Sequence, residues 1–254
     1  MNSLLIAAVV LACCLAGIGA GVLIRRSLPE HHLSPEPKDV IKQGFGLIAT
    51  MVALVLGLLV ASAKTAFDAE NASFAQMSTN LIVLDRTLNQ YGPEAKPARE
   101  LLRRSVASMV NRLWPDQSTA AAGSVDSREI TSDAEAFYAA IRKLSPKDDF
   151  QRSVQSQAIQ TCGEFAKTRW SMSQPAPPLL PAPFLVVLAF WIAVLFASYG
   201  LLTPPNRTVL ETMGLCALSL SGAIFLIVDL GEPLGGLIRI SDASLRYGLS
   251  QLGQ

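Results

Sequence analysis

Few side chains in this sequence have the types and spacings that catalysis or metal binding needs. The two histidines, His31 and His32, are adjacent in a proline-containing segment, which is more typical of solvated loop residues than of a metal site. Three of the four cysteines fall in apolar runs, so Cys162 is alone in the polar part of the chain. No HExxH, GxSxG or GxxxxGK[ST] motif occurs. We therefore expect no catalytic residue, cofactor or metal ion, and we expect that the protein is not an enzyme.

Composition indicates a membrane protein with a sizeable polar part. Of the 254 residues, 50% are hydrophobic and only 16% are charged. The formal net charge of +1 gives no indication of a nucleic-acid partner. The lipid bilayer is therefore the first partner that the sequence predicts.

The longest helical pattern runs from Gly44 to Gln90. Gly44–Ala63 has no charged residue over 20 positions, about the length that crosses ~30 Å of hydrocarbon. Beyond Lys64 the pattern continues with apolar residues at helical spacings, which are Phe67, Phe74, Met77, Leu81, Leu84 and Leu88. We expect one helix that begins in lipid and ends in water. Two shorter helices that meet at Lys64 are the alternative.

Small residues recur on one side of this span. Ala49, Ala53, Gly57 and Ala61 are spaced every four positions, which places them on the same helix face. Because lipid tails are as apolar as leucine, membrane helices associate where small residues let their backbones come close. The strip predicts a helix-packing seam of a homo-oligomer, although alanine and glycine are also common in membrane helices generally. Thr50 and Ser62 are the polar residues that could line a pore.

Three further apolar runs, near 3–24, 184–203 and 208–230, complete four predicted membrane helices. The first is long for a signal peptide and lacks a basic residue before it, so we expect it to be retained. It contains a GxxxG pair, Gly17 and Gly21. We predict an all-α protein whose soluble helical bundle is inserted between the second and third membrane helices. The predicted domains are 1–64, 65–180, 181–230 and an amphipathic tail, 231–254.

Polar segments are assigned from turn and capping residues. Leu28–Gln43 is predicted to be a short connection, and helices follow near 94–113, from Ser132 onward, and near 148–172. Ser132 and Glu135 have the spacing of a capping box. The predicted apolar stripe of the last helix consists of Phe150, Val154, Ala158, Cys162 and Phe165.

Two carboxylates, Glu211 and Asp229, fall in the last apolar run. They are 18 residues apart, which is ~27 Å along a helix. Each can therefore lie near one membrane face. The alternative is that they lie within the membrane, where burying a carboxylate costs free energy and often marks a functional site.

Three stretches resemble a known family. They are FGLIATMVALVLGLLVASAKTAFD, FLVVLAFWIAVLFASYGLLTPPN and the tail VDLGEPLGGLIRISDASL. Together they resemble the bestrophin-like domain family of bacterial integral membrane proteins, whose function is uncharacterised. The tail motif is carried by Asp229, Pro233, Gly236, Ile238, Ile240 and Ser241, while Leu234 replaces a usual Phe and Ser244 stands where Pro is common.

The family name implies distant similarity to bestrophins, which are pentameric anion channels with the second membrane helix lining the pore. The resemblance thus implies an oligomeric ion channel and a small anion as a partner. A membrane-anchored scaffold or sensor is the alternative. The tail has Glu232 and Asp242 but no acidic run, so the resemblance does not extend to the calcium-binding cluster of bestrophins.

The predicted location is the cell inner membrane. Two arguments disagree about which side of this membrane the bundle faces. Lys and Arg near membrane ends number five on each side. Arg25 and Arg26 follow the first apolar run and no basic residue precedes it, which favours an exported bundle. Similarity to bestrophins favours a cytosolic one. We predict export because the charges act on this chain directly.

Overall fold

The computed structural model describes residues 3–27, 35–114, 127–173, 182–203 and 206–253. These residues form eight α-helices and a 3-10 turn, Pro93–Ala95, with no β-strand among them. The helices are α1 (Ser3–Ser27), α2 (Pro35–Tyr91), α3 (Lys96–Leu113), α4 (Ser127–Lys143), α5 (Asp149–Ser173), α6 (Ala182–Leu202), α7 (Arg207–Leu230) and α8 (Ala243–Gln251). The predicted all-α class is confirmed for this part of the chain. The four predicted spans fall in α1, α2, α6 and α7, each long and apolar enough to cross a membrane.

Helix α2 is one unbroken helix of 57 residues, about 85 Å long at 1.5 Å per residue. The alternative of two helices that meet at Lys64 is therefore wrong. The predicted connection Leu28–Gln43 is also wrong in its second half, because α2 begins at Pro35. Proline is tolerated there because the first backbone N–H groups of a helix have no intrahelical partner. His31 and His32 lie outside the described residues.

The chain divides into two compact units. The first unit consists of Met1–Phe67 and Pro178–Ile238, and the second of Asp68–Pro177 and Arg239–Gln254. Residues of the predicted tail, 231–254, are thus shared between the two units.

In the first unit, α1 packs against both α6 and α7. The Arg25 guanidinium donates to the Leu201 carbonyl at 3.2 Å, so the carboxyl ends of α1 and α6 lie together and the two helices are parallel. Ser221 Oγ donates to the Ala7 carbonyl at 2.6 Å, near the opposite end of α1, where α7 runs antiparallel to it. The unit's core is built from residues of α1, α2, α6 and α7, among them Val10, Cys14, Val52, Leu56, Ala63, Leu188, Ile192, Ala217, Ile224 and Ile227.

Small residues bring α1 and α6 into close contact. A Cβ added at Gly17 would lie 2.7 Å from the Ala193 carbonyl oxygen, and one added at Gly200 would lie 2.5 Å from that of Ile18. A Cβ at Gly21 would overlap the Ala197 carbonyl. The GxxxG pair found in the sequence therefore forms a packing seam within one chain.

In the second unit, the polar part of α2 buries its predicted stripe. Phe74, Met77, Leu81, Leu84 and Leu88 are each at most 2% exposed. Helix α8 packs against the same part of α2. Ser78 Oγ donates a hydrogen bond to the Ser244 carbonyl at 2.6 Å, and a Cβ added at Gly248 would lie 2.6 Å from that Oγ.

A part-buried ion pair joins α2 to α3. The Arg99 guanidinium donates to both carboxylate oxygens of Asp85, at 2.8 and 2.7 Å, and the Gly253 N–H donates to the same carboxylate at 3.1 Å. The hydrogen bonds to Asp85 raise the pKa of Arg99. The bidentate pair fixes the Asp85 carboxylate, whose hydrogen bond from Gly253 holds the last described residue against α2.

Two local predictions in this unit are wrong. Helix α4 begins at Ser127, so Ser132 lies within the helix and the capping box with Glu135 does not start it. Phe150 is 60% exposed, because it lies in the first turn of α5, whereas Val154 and Ala158 on the same stripe are buried.

The Tyr91 hydroxyl gives a stability prediction. Tyr91 is 3% exposed, and its oxygen has no hydrogen-bond partner among the described residues. Because a buried donor without a partner costs about 1–3 kcal/mol, Tyr91→Phe should leave the melting temperature in detergent unchanged or raise it. Tyr247→Phe is the control, since Tyr247 is 62% exposed. A clear drop for Tyr91→Phe alone would mean that the hydroxyl is hydrogen-bonded, for instance to a buried water.

Candidate functional site

Helix α2 buries only a narrow face in the first unit. Val52, Leu56 and Ala63 are 4%, 7% and 0% exposed and lie in the unit's core. Of the 18 consecutive residues that are most apolar in α2, 11% are buried. The corresponding shares in α1, α6 and α7 are 33%, 33% and 28%. Most of the apolar surface of α2 is therefore left for lipid or for another protein chain.

About 120° around the helix from these buried residues, small and polar residues share one face. We call this the open face; it consists of Gly46, Thr50, Ala53, Gly57, Ala61 and Lys64, all of them exposed. At about 100° per residue they fall within roughly 80° of the helix circumference. A Cβ added at Gly46 or Gly57 would meet nothing within 4 Å. The face is thus sterically free to approach another backbone.

Large apolar residues occupy the adjoining face. Leu47, Met51, Leu54 and Leu58 are 70%, 52%, 62% and 64% exposed. They fall within about 60° of one another on the helix. The surface of α2 is therefore divided into a small-residue side and a large-residue side.

The predicted seam and pore residues only partly coincide with the open face. Ala53, Gly57 and Ala61 lie on it, whereas Ala49 is half-buried at its edge. Thr50 lies among them, with its Oγ1 donating to the Gly46 carbonyl at 2.9 Å. Ser62 is exposed but lies about 100° beyond Ala61, outside the face.

Two residues of the open face, Gly46 and Lys64, were not predicted. Both lie outside the series from Ala49 to Ala61, in which small residues recur every four positions. A step of three also keeps a residue near the same helix face, and it leads from Ala49 back to Gly46 and from Ala61 on to Lys64.

A second candidate feature is a set of hydrogen bonds to one carboxylate at the end of α7. The Asp229 carboxylate is fully buried and accepts hydrogen bonds from Ser3 Oγ at 2.8 Å, Leu237 N at 3.0 Å and Ile238 N at 2.8 Å. It therefore holds the start of α1 and the returning tail against the end of α7. We call this arrangement the Asp229 clasp.

The chain returns to Asp229 through a tight turn. The Gly235 N–H donates to the Glu232 carbonyl at 3.0 Å, which places Pro233 at the position that proline's fixed φ favours. A Cβ at Gly236 would lie 2.8 Å from Asp229 Oδ1. The clasp therefore needs glycine at 236 for the backbone to approach the carboxylate.

The comparisons with known proteins identify the family. A family model for the Bestrophin-like domain matches residues 11–245. The chain belongs to the bestrophin-like domain family. No curated protein and no solved structure matches it. Together with its four apolar helices, this membership makes the chain a multi-pass membrane protein of that family.

In this bestrophin-like protein, the residues of the predicted tail motif divide between two places. Asp229, Pro233, Gly236 and Ile238 build the clasp in the first unit. Ser241 belongs to the second unit, where its Oγ accepts a hydrogen bond from Ala243 N at 3.2 Å at the start of α8. Ser3, the partner of Asp229, lies 226 residues away and was not predicted.

Among the residues that the structure describes, the remaining carboxylates do not gather into a metal site. Within the described ranges, no group of three or more His, Cys, Asp or Glu residues is arranged to hold a metal ion. Glu211 pairs with Arg207 at 3.0 Å on the exposed first turn of α7. The Asp229 oxygens accept N–H and O–H hydrogen bonds.

Proposed function

We propose that the protein is a non-enzymatic, homo-oligomeric ion channel whose pore is lined by the open face of α2. The observation that carries this proposal is the division of the α2 surface. A span surrounded by lipid has no physical reason to separate small residues from large ones. A span between a pore or a neighbouring helix on one side and lipid on the other does. The family resemblance, which implies an anion channel, supports the same assignment.

In this proposal the large side of α2, including Leu54 and Leu58, faces lipid. The small side, centred on Gly57, faces the axis, where the α2 helices of the subunits contact one another around a narrow pore. A pore lined mainly by apolar side chains gates by dewetting, so few polar residues are required. The second unit is then a soluble bundle inserted between the second and third spans, into which α2 continues.

Channel activity is tested by recording currents from purified protein in planar bilayers with a salt gradient. The proposal predicts discrete conductance steps that are absent from bilayers treated with detergent buffer alone. An intact oligomer that gives no current under any tested voltage would contradict the channel assignment and favour a membrane-anchored scaffold or sensor.

Oligomerisation through the open face is tested by Gly57→Leu. Because nothing in the chain lies near Gly57, leucine there should not disturb the fold of one subunit. It should separate subunits by holding their backbones apart. Gly222→Leu in α7 is the matched control, since Gly222 is also exposed and without neighbours within 4 Å. In mild detergent, size exclusion with light scattering should show a smaller assembly for Gly57→Leu only. An unchanged mass would exclude this face as the seam.

The proposed sidedness is an exported bundle. Ala120→Cys, in a chain with Cys13, Cys14, Cys162 and Cys216 replaced, provides one thiol between α3 and α4. Intact spheroplasts treated with an impermeant maleimide should label this thiol. Labelling that requires lysis would place the bundle in the cytoplasm instead.

A further inference from the structure

We propose that a groove between α2 and α8 in the second unit is a further contact surface between copies of this chain. This inference rests on the homo-oligomer of the proposed function. It adds a contact in the polar part of the chain, where the proposed function names none.

The groove has a volume of about 410 Å³. Residues that line it are Ala75, Ser78, Thr79 and Ile82 of α2 and Ser244 and Tyr247 of α8. We call it the α2–α8 groove. The Tyr247 side chain is 62% exposed at its α8 wall. Tyrosine is enriched in protein–protein interfaces, because its rigid ring offers a large contact area.

The part of α2 that borders the groove has no charged residue over about four helical turns. Residues 71–84 include no Asp, Glu, Lys or Arg. The exposed residues in this stretch are Asn71, Ala72, Ala75, Gln76, Thr79 and Val83. A helix face in water normally carries charged residues, whereas the core of a protein–protein interface is depleted of them. The exposed side of this stretch therefore has the composition of a surface that another chain covers.

Helix α3 of the same unit shows the usual pattern for a face in water. Charged residues recur along its exposed side, among them Lys96, Glu100, Arg103 and Arg104. The lack of charge is thus a property of α2 at the groove and not of the whole unit.

The α2 hydroxyl groups that line the groove already donate hydrogen bonds within the chain. Thr79 Oγ1 donates to the Ala75 carbonyl at 3.1 Å, and Ser78 Oγ donates to the Ser244 carbonyl at 2.6 Å. Burying a hydroxyl without a partner costs free energy. Another chain can therefore cover Ser78 and Thr79 without that cost.

A second copy is the occupant that the register of α2 favours. Ala75 follows Gly57 by 18 residues on this unbroken helix, which is about five full turns. Ala75 therefore lies on the side of α2 through which the proposed function brings different copies together. A strongly charged partner would bury its charges here without a counterpart, which is unfavourable. An uncharged surface of a second copy would not.

The test introduces a charge into the groove of the full-length protein. Ala75→Glu should shift dissociation of the assembly in mild detergent to a roughly tenfold higher protein concentration or more, because an unpaired carboxylate would be buried in the contact. Light scattering over a dilution series gives the mass. Ala139→Glu is the matched control, since Ala139 is also an exposed alanine on a helix of the second unit.

The outcomes separate this inference from the proposed function. A wild type that assembles, with Ala75→Glu dissociating as Ala139→Glu does, would overturn this inference alone. A wild type that is monomeric at every concentration would overturn the proposed homo-oligomer and this inference with it. Dissociation by Ala75→Glu but not by Gly57→Leu would support the groove and exclude the open face as the seam.

A labelling measurement keeps the inference testable if Ala75→Glu does not fold. Thr79→Cys, with the four native cysteines replaced, provides one thiol in the groove. In the purified assembly an uncharged maleimide should modify it roughly tenfold more slowly than Ala139→Cys, because an interface core excludes water. Dilution to single subunits should remove the difference. Equal rates in the assembly, or protection that occurs in native membranes but not in purified protein, would show that a second copy does not cover the groove.

Discussion

Gly21→Ala is expected to abolish the close packing of α1 on α6. The added methyl would overlap the carbonyl of Ala197 and lie 2.9 Å from Leu201 N, and both are backbone atoms of a helix. Backbone in a helix cannot move aside as a flexible side chain can, so the two helices must separate. Overpacking of a well-packed core typically costs about 1–3 kcal/mol. We expect the upper end of that range or more here, because the obstructing atoms are backbone.

The matched control is Gly19→Ala on the same helix. Gly19 is exposed, and an added Cβ there would meet nothing within 4 Å. Thermal melting in detergent should therefore show a loss of monodisperse protein, or a melting temperature lower by several degrees, for Gly21→Ala only. Equal melting of both variants would mean that α1 and α6 do not pack through this seam.

Asp229→Ala is expected to have the second large effect. The substitution leaves two backbone N–H groups and the Ser3 hydroxyl without their common acceptor in a fully buried position. Each hydrogen bond to a charged group contributes about 1.5–3 kcal/mol. We expect the tail to leave the end of α7, with faster amide exchange at Leu237 and Ile238 and a lower melting temperature.

Glu211→Ala is the control for Asp229→Ala, because it also removes a carboxylate from α7. It forms an ion pair with Arg207, and the two side chains are 65% and 93% exposed, respectively. Such exposed pairs contribute about 0–1 kcal/mol to stability. Gly236→Ala should reproduce part of the Asp229→Ala effect, since its methyl would meet the same carboxylate. Unchanged amide exchange at 237 and 238 in Asp229→Ala would show that the clasp does not hold the tail.

Features that depend on one segment at a time could be predicted from the sequence. Each span is an apolar run of bilayer length, and the stripe from Phe74 to Leu88 follows from helical spacing. The unbroken course of α2 follows in the same way, because no proline or glycine pair interrupts it between Lys64 and Tyr91.

Features that depend on distant partners could not be predicted. Nothing near Gly21 in the chain indicates that Ala197 covers it, and nothing near Asp229 indicates Ser3. The sequence predicts that Asp229 lies near a membrane face, but it does not indicate that the chain itself encloses the carboxylate. The start of α2 was placed nine residues too late, at Gly44, because a polar helical turn has no apolar period to reveal it.

The central claim is that the open face of α2 meets its counterpart in other copies, and disulfide cross-linking in native membranes tests it most directly. Single cysteines at Ala53, Gly57 and Ala61, in a chain without native cysteines, should give covalent dimers on mild oxidation. Cysteine at Leu58, which is 64% exposed on the adjoining face, should react far less. Cross-linking at Leu58 but not at the three open-face positions would contradict the account.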